Sequence, residues 1–325
     1  MTYQPPRWLH GSHADTIWPA VFIRQRPPVY RRELWLTPDG GQIAVDRVDG
    51  QPGTPLVVLF HGLEGSSHSH YAIALMQAVA ARGWHGAVSH LRGCGGVENR
   101  QPRAYHAGDS AEVEWILRRL VGEQPLLFAV GVSLGGNMLL RYLGEQGAAA
   151  LPLAAAAVSV PVDLTAASSR LDRGLGKWLY TRLFLSTLKP KLLRQLQHHP
   201  QLFDAAAMLR ARTFAQFDDL VTAPLHGYRD VGDYWARASS KPLLRQIMRP
   251  TLLLNARNDP FLPPSALPLP AEISPAVTLE LPERGGHVGF ATGPFPGRLD
   301  WLPQRLLAFF DTHLTAIGQR AQGSN

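Results

Sequence analysis

The 325-residue sequence contains one cysteine, no long hydrophobic run and only 18% charged residues. Cys94 has no partner for an internal disulfide and cannot build a cysteine metal cage, which excludes a disulfide-stapled secreted scaffold and a zinc finger. The longest weakly polar run, 151–162, is interrupted by prolines and is much shorter than the roughly 20 apolar residues that span a bilayer. We therefore expect no transmembrane helix.

The first residues also lack a targeting pattern. They contain Pro5-Pro6 and no basic stretch followed by an apolar one, as a signal peptide would have. Together with the single cysteine, this favours a cytoplasmic protein. The hydrophobic fraction of 45% is typical of globular chains and excludes an intrinsically disordered one.

The net charge of +7 is concentrated in one part of the chain. Residues 161–245 contain thirteen Lys and Arg against seven Asp, which accounts for +6 of that total. These charges are spread through apolar helical patterns without a known binding motif, so we expect no nucleic-acid partner. Apolar residues at 175, 179, 183 and 184 favour a helix packed on a core, and a basic helix that touches an acyl chain or a membrane surface stays open as the alternative.

Buried strand patterns alternate with helical patterns along most of the chain. We predict strands at 56–60, 86–91, 126–132 and 154–160, with helices at 71–82, 112–121 and 135–145 between them. A hairpin, 31–36 and 42–48, precedes this unit. Strands at 251–255 and 277–281 and a helix at 302–314 follow it. This alternation predicts an α/β fold with a mostly parallel sheet covered on both faces.

The strand pattern stops for some ninety residues between the fourth and fifth of these parallel strands. We predict an irregular helical cap insertion at 161–245, with helices at 171–188, 192–197 and 204–213. Because the strand pattern resumes behind it, the segments 1–160 and 246–325 are expected to form one core.

The segment Gly131-Val132-Ser133-Leu134-Gly135 is a candidate nucleophile turn. The Gly-x-Ser-x-Gly pattern is weak evidence by itself, but here it lies between a predicted buried strand and a predicted helix. Small flanking residues allow the sharp turn that exposes a serine hydroxyl above the sheet. Ser133 is therefore the candidate nucleophile, and a turn serine that caps a helix is the alternative.

A serine nucleophile needs a base and a carboxylate that orients the base. Asp259 follows the strand predicted at 251–255, and His287 follows the strand predicted at 277–281. The chain order Ser133, Asp259, His287 is the one that α/β hydrolases use. Asp230 and Asp233 are rival acids, but they lie within the insertion and away from any strand end.

The oxyanion of a tetrahedral intermediate needs two hydrogen-bond donors. We expect one to be the backbone N–H of Leu134, at the start of a helix, and the other to be the backbone N–H of Leu63, in the loop after the first buried strand. His61, in the same loop, is expected to be structural. The spacing of His61, His68 and His70 fits no metallohydrolase pattern, and Cys94 has no base beside it.

The sequence resembles the YheT-like branch of the α/β-hydrolase superfamily, which is related to eukaryotic α/β-hydrolase-domain lipases and medium-chain acyltransferases. The resemblance spans nearly the whole chain and is carried by these segments: Pro5 to Trp8, 61–65, 92–99, 105–109, Ser133 to Asn137, 259–261 and 285–290. It places the family triad on Ser133, Asp259 and His287. It implies a serine hydrolase of carboxylic esters that acts on acyl chains, including lipid-like ones, without a metal or organic cofactor.

Two positions depart from the family pattern. His13-Ala14-Asp15-Thr16 replaces a usual His-x-Gln-Thr, and Asn258 replaces a frequent Asp, so Asp259 is the one acid in that loop. The alternatives to ester hydrolysis are acyl transfer to an alcohol and a catalytically inactive member that binds a lipid or a partner. The acyl length, the head group and the oligomeric state are left open.

Overall fold

A computed structural model describes the backbone of residues 2–322 and the side chains of residues 2–315. Eight strands of this part form a single sheet in the order β1-β2-β4-β3-β5-β6-β7-β8. In chain order they are β1 (Arg31–Leu36), β2 (Gln42–Val48), β3 (Leu56–Phe60), β4 (His85–Ser89), β5 (Leu127–Val132), β6 (Ala154–Val158), β7 (Thr251–Leu254) and β8 (Val277–Glu280).

The pairing of the strands confirms the α/β class. The hairpin β1–β2 is antiparallel, and β2 joins the rest of the sheet by an antiparallel pairing with β4. Every other neighbouring pair, from β4–β3 to β7–β8, is parallel. Parallel strands need crossover connections, and the chain supplies them as helices.

Helices cover both faces of the sheet, which explains why the central strands contain uninterrupted apolar runs. All residues of β3, β5 and β6 are buried. On one face α2 (His70–Ala81) and α12 (Trp301–Gln322) pack on the sheet. On the other face lie α3 (Ser110–Glu123) and α4 (Leu134–Gln146), and the carboxylate of Asp109 caps α3 as its position predicts.

The chain between β6 and β7, called the insertion below, is helical. Its helices are α5 (Leu164–Leu171), α6 (Gly174–Gly176), α7 (Arg182–His198), α8 (Ala205–Arg210), α9 (Phe214–Phe217), α10 (Ala223–Leu225) and α11 (Val231–Ala238). A π-helical turn, Lys177–Thr181, joins α6 to α7, and a second one, Asp218–Thr222, joins α9 to α10. The insertion boundaries predicted at 161 and 245 stay a prediction.

The prediction that the long helix of the insertion breaks near residue 190 is wrong. The helix α7 continues through Pro190 to His198. Pro190 is exposed, so water can bond the carbonyl that lacks a proline N–H. Leu185 and Leu192, on either side of it, are buried in the same apolar cluster, and this packing holds the helix together. The predictions of 171–188 and 204–213 also differ from the observed bounds, and α5 was not expected.

The helix α1 (Ser12–Val21) is a further element that the sequence patterns did not predict. It contains Pro19, and Gly11 at its N-cap provides no side-chain hydrogen bond, so the usual helix start signals are missing. Its buried residues include Asp15 and Thr16. These polar side chains lie against the loop that carries His287.

None of the helices in the described part of the chain has the length and apolar character needed to cross a membrane. The cytoplasmic location inferred from the cysteine usage stays a prediction.

Candidate active site

Ser133 lies in the sharp turn between β5 and α4. Its backbone has φ 51° and ψ −119°, a conformation that costs a non-glycine residue on the order of 1–3 kcal/mol. The neighbouring glycines make the turn possible, because a Cβ on Gly131 would lie 2.6 Å from the Gly136 Cα and one on Gly135 would lie 2.5 Å from the His61 carbonyl oxygen. The sequence pattern thus predicts the local geometry correctly.

Ser133, His287 and Asp259 form a continuous hydrogen-bonded chain. The His287 Nδ1 lies 2.8 Å from the Asp259 Oδ2, and the His287 Nε2 lies 3.0 Å from the Ser133 Oγ. A carboxylate beside Nδ1 favours the tautomer with a proton on that nitrogen, which leaves Nε2 free to accept from the serine hydroxyl. The Asp259 side chain is fully buried, and that of His287 is 10% exposed. The structure therefore brings together all three residues singled out in the sequence.

Packing and main-chain bonds fix the acid and the imidazole. The Phe261 backbone N–H donates to the Asp259 Oδ1 across 2.8 Å. The Phe261 ring stacks on the His287 ring with a centroid separation of 3.9 Å. On the other side, the Ser159 hydroxyl accepts a hydrogen bond of 3.1 Å from the Val288 N–H.

The helix α1 supports His287 through contacts that the sequence patterns did not reveal. The Thr16 Oγ1 accepts from the His287 backbone N–H across 2.9 Å. The carboxylate of Asp15 accepts from the Asn258 amide across 2.7 Å and forms an ion pair of 2.8 Å with Arg284. Asn258 also accepts from the Gly286 N–H, so it connects α1 to both the acid loop and the histidine loop. The sequence contained one signal for these contacts, namely that positions 13–16 and 258 depart from the family pattern.

The loop after β3 lies beside Ser133. A Cβ on Gly62 would come within 3.2 Å of the Ser133 Cβ. The Gly62 N–H donates to the Tyr71 hydroxyl, whereas among residues 2–322 no hydrogen bond engages the backbone N–H of Leu63 or of Leu134. Both predicted oxyanion donors are thus free to bind a ligand.

His61 is part of the scaffold of this loop. Its Nδ1–H donates to the Gly62 carbonyl across 2.7 Å, and its Nε2 accepts from the Leu91 N–H across 3.1 Å. Burial lowers the pKa of His61 to about 3, so the ring stays neutral and keeps one donor and one acceptor. This arrangement fits the structural role expected from the sequence.

A polar cluster connects the same loop to the insertion. Glu64, which has a positive φ of 57°, accepts at its Oε1 from the Tyr105 hydroxyl and from the Lys191 ammonium, both at 2.8 Å. Lys191 belongs to α7 and also lies 3.4 Å from the Cys94 Sγ. Burial raises the pKa of the Cys94 thiol to about 11, which keeps it protonated at neutral pH and makes it a poor nucleophile.

A cavity of about 680 Å³ adjoins Ser133 and His287. This volume is within the range of small-molecule sites. Much of its wall consists of apolar side chains of the insertion, including Leu164, Phe184, Leu188, Phe214 and Trp235. The predicted oxyanion residues Leu63 and Leu134 line it as well. The apolar lining suits the hydrocarbon part of a ligand.

Two histidines from different parts of the chain meet in the cavity wall. The rings of His106, which precedes α3, and His226, which belongs to the insertion, have centroids 4.2 Å apart. Burial lowers the pKa of His106 to about 4 and that of His226 to about 3, so both rings are neutral near pH 7. Sequence patterns gave no indication of this pair.

The rival acids of the insertion are engaged elsewhere. Asp230 caps α11 by accepting from the Asp233 N–H, and Asp233 forms an ion pair of 3.1 Å with Arg237. Within the described part of the chain, no group of three or more His, Cys, Asp and Glu side chains is placed to hold a metal ion.

Comparison with known proteins agrees with this architecture. The family model described as "alpha/beta hydrolase fold" matches residues 55–294, and YheT of Escherichia coli (strain K12), a candidate esterase by its name, is 38% identical over 96% of this chain and 94% of its own length. The chain belongs to the α/β-hydrolase family, in its YheT-like branch. The resemblance inferred from the sequence motifs is confirmed.

Further relatives of this α/β hydrolase carry enzyme names. The phospholipase ABHD3 of Mus musculus is 33% identical over 93% of this chain and 76% of its own length. The solved structure of the esterase Pf2001 from Pyrococcus furiosus covers 96% of this chain and 98% of that one, with a TM-score of 0.56 and 16% identity. At that identity the structural match shows the fold alone.

Proposed function

We propose that this α/β hydrolase cleaves carboxylic esters through an acyl-enzyme formed on Ser133. The observation that carries the proposal is the unbroken hydrogen-bonded chain from the Ser133 Oγ through His287 to the buried Asp259. A serine hydroxyl is a weak nucleophile at neutral pH, and an adjacent imidazole held by a carboxylate is the arrangement that activates it. The names of the relatives, an esterase candidate and a phospholipase, support the same class of reaction.

In the proposed first half-reaction, the Ser133 Oγ attacks the ester carbonyl carbon while His287 Nε2 takes the hydroxyl proton. The tetrahedral intermediate collapses as the ester C–O bond breaks, and the imidazolium gives its proton to the leaving alcohol. In the second half-reaction water attacks the acyl-enzyme with the same histidine as base, which releases the carboxylic acid and restores Ser133. Asp259 keeps Nδ1 protonated and stabilises the imidazolium in both steps.

The negative charge of each tetrahedral intermediate requires donors, and we assign this role to the backbone N–H groups of Leu63 and Leu134. Both are free of protein partners within residues 2–322, and Leu134 begins α4, whose N-terminus favours an anion. Removing one such donor in another serine hydrolase costs about 10² to 10³ in kcat. Backbone donors cannot be removed by side-chain substitution, so the test of the mechanism rests on the triad.

The proposed substrates are esters with short to medium acyl chains or lipid-like esters. The apolar wall of the cavity next to Ser133 supports this class, because a hydrocarbon chain gains about 25 cal/mol for each Å² that it removes from water. Neither a metal ion nor an organic cofactor takes part in the proposed steps.

The proposal is tested by intact-mass labelling with a fluorophosphonate probe, with wild type beside Ser133→Ala, followed by a p-nitrophenyl ester series of increasing acyl length. We expect one adduct in wild type and none in the variant. Turnover should fall by about 10⁴ to 10⁶ in Ser133→Ala, by comparison with triad deletions in other serine enzymes. Ser168→Ala, at another serine in the cavity wall, serves as the matched control and should keep the adduct.

Two results would contradict the proposal. Ester cleavage by Ser133→Ala within tenfold of wild type would remove Ser133 as nucleophile, and folded wild type without any adduct would favour an inactive binding protein. Product analysis in the presence of ethanol or glycerol separates hydrolysis from acyl transfer, because a transferase would release a new ester in place of the acid.

A further inference from the structure

Apolar side chains are exposed in two segments that also contribute to the cavity wall. In the insertion, Leu175, Trp178 and Leu183 are 62%, 67% and 59% exposed. At the end of α1, Val21 and Phe22 are 58% and 54% exposed. Val21 and Leu183 are exposed and also line the cavity, so these two side chains lie where the cavity opens to solvent, and Phe22 and Trp178 lie near them along the chain.

The apolar surface continues beyond α1 through an aromatic cluster. The Phe22 ring stacks on Trp18 with a centroid separation of 4.5 Å, and Trp18 in turn contacts Phe295, which is 68% exposed. A hydrogen bond of 2.9 Å between His13 and Tyr180 connects α1 to the π-helical turn that carries Trp178. The two segments that carry the exposed groups are thus in contact, and we call the exposed side chains together the mouth surface, defined as Val21, Phe22, Leu175, Trp178, Leu183 and Phe295.

The exposed charged residues next to the mouth surface along the chain are basic. Two arginines, Arg24 and Arg26, follow α1. Four more basic residues flank the exposed residues of the insertion: Arg170, Arg173, Lys177 and Arg182. All six side chains are exposed, and none forms an ion pair within the described part of the chain. In the stretches 12–26 and 168–187 the acidic residues are Asp15 and Asp172. Asp15 is buried against Arg284, and Asp172 accepts from the backbone N–H groups of Phe214 and Ala215.

We propose that the mouth surface docks this hydrolase on an anionic lipid surface and places the cavity mouth against the lipid. Exposed apolar and aromatic side chains surrounded by unpaired cations match the boundary between acyl chains and anionic head groups. A lipid-like ester could then enter the cavity without crossing water. This inference rests on the proposed function, and it assigns the membrane contact to residues 175–183 of the insertion together with the end of α1.

The test measures co-sedimentation of the full chain with vesicles of phosphatidylcholine alone and of phosphatidylcholine with phosphatidylglycerol. We expect wild type to bind the anionic vesicles, and to release as salt rises from about 0.05 to about 0.5 M, because screening weakens the contribution of the cations. The double variant Leu175→Ser/Trp178→Ser should lose most of the bound fraction. Since both side chains are exposed, the fold should be unaffected.

A second pair of variants tests the charge. Lys177→Gln/Arg182→Gln should lower the partition constant on anionic vesicles by about 10- to 30-fold, since each basic residue near such a surface contributes about fivefold. The matched control is Arg210→Gln/Arg212→Gln, which removes two exposed cations of the insertion that do not border the mouth. The matched apolar control is Met248→Ser, at a residue that is 63% exposed elsewhere.

Turnover of soluble p-nitrophenyl acetate should be the same in all these variants. Three results would overturn the proposal: no binding of wild type to either vesicle, equal binding to both vesicles at every salt concentration, or unchanged binding of the mouth variants. Sedimentation velocity without lipid adds a fourth, because a dimer that Leu175→Ser/Trp178→Ser dissociates would assign the surface to a second copy of this chain. Fluorophosphonate labelling separates the two proposals, since a labelled wild type that binds no vesicle refutes the docking surface alone.

Discussion

The sheet and the insertion contribute to the candidate active site in different ways. Ser133, Asp259 and His287 follow the carboxyl ends of β5, β7 and β8, and backbone geometry and main-chain hydrogen bonds hold them. The insertion instead contributes apolar side chains to the cavity wall and one ammonium group, that of Lys191, to the loop beside Ser133. The candidate triad is thus positioned by the sheet, and the shape of the cavity is set mainly by the helices of the insertion.

The strongest test of this difference is a substitution after the carboxyl end of β7 that leaves the side-chain volume nearly unchanged. Asp259→Asn keeps an acceptor for the Phe261 N–H but presents an amide to the His287 Nδ1, which favours the tautomer that cannot accept the serine proton. We expect kcat to fall by about 10⁴, as the equivalent change does in another serine enzyme. Steady-state kinetics with a short p-nitrophenyl ester measures the loss, and a fall of less than tenfold would contradict the assigned role.

A smaller loss of kcat is expected for a substitution in α1, which contacts the loops that carry Asp259 and His287. Asp15→Ala removes the acceptor of Asn258 and the partner of Arg284, so the loops that carry Asp259 and His287 lose a shared anchor. We expect kcat to fall by about 10- to 100-fold, because small displacements of catalytic groups are costly. The free energy of unfolding should fall by about 1–3 kcal/mol, which chemical denaturation measures.

The control for Asp15 is Asp49→Ala, which breaks the exposed ion pair with Arg31. An exposed pair of this kind contributes at most about 1 kcal/mol, so neither turnover nor stability should change much. Equal effects of the two substitutions would show that α1 does not position the histidine loop.

Substitutions in the insertion should change which substrates are preferred and should leave the rate of the chemical step nearly unchanged. Leu188→Trp places a larger side chain on the cavity wall. We expect the acyl length of highest kcat/KM to shift to shorter esters, whereas p-nitrophenyl acetate turnover stays within about threefold, because overpacking here distorts the wall and not the triad. Leu209→Trp, at an exposed position of the insertion away from the cavity, is the control. An unchanged length profile would show that this wall does not contact the acyl chain.

The smallest effect is expected on the pH dependence of stability, from His106 of the core and His226 of the insertion, whose rings are in contact. Burial lowers the pKa of both rings below the ordinary 6.5, so the unfolded chain binds protons first as the pH falls. Their contribution to stability is therefore present above about pH 6.5 and is lost as the pH falls, towards about pH 4 for His106 and about pH 3 for His226, with a slope of up to about 1.4 kcal/mol per pH unit for each ring. In His226→Gln the drop in Tm between about pH 7.5 and about pH 5 should be smaller than in wild type.

The control for this pH experiment is His198→Gln, at a side chain that is 39% exposed. Its Tm should fall with pH as in wild type. An identical fall in His226→Gln and wild type would exclude the pair as a source of acid sensitivity.

Much of the sheet and of the triad could be predicted because their signals are local. Buried parallel strands have continuous apolar runs, and residues 131–135 contain the small residues that the sharp turn needs. The predicted ends of β4 and β6 extend about two residues too far, since the buried pattern continues after the pairing stops.

The contacts of α1 and the course of α7 depended on distant residues. Thr16 meets His287 across 271 positions of the chain, and no periodicity reports such a contact. Pro190 favours a helix end, but the burial of Leu185 and Leu192 in one cluster with Met208, Phe217 and Val221 outweighs the missing N–H. The pair His106–His226 was hidden for the same reason, because a lone histidine in a loop has no pattern around it.

The insertion leaves and rejoins the sheet at neighbouring strands, since Ala155 of β6 is the register partner of Thr251 of β7. Because β6 and β7 are parallel, the insertion leaves at the carboxyl end of β6 and returns at the amino end of β7, so it is a crossover connection whose two ends the ladder keeps at a fixed separation. A change in the length or sequence of the insertion can therefore leave the strand order of the sheet unaltered. An exchange of the insertion by protein engineering would in the same way join a new cavity wall to an unchanged sheet and candidate triad.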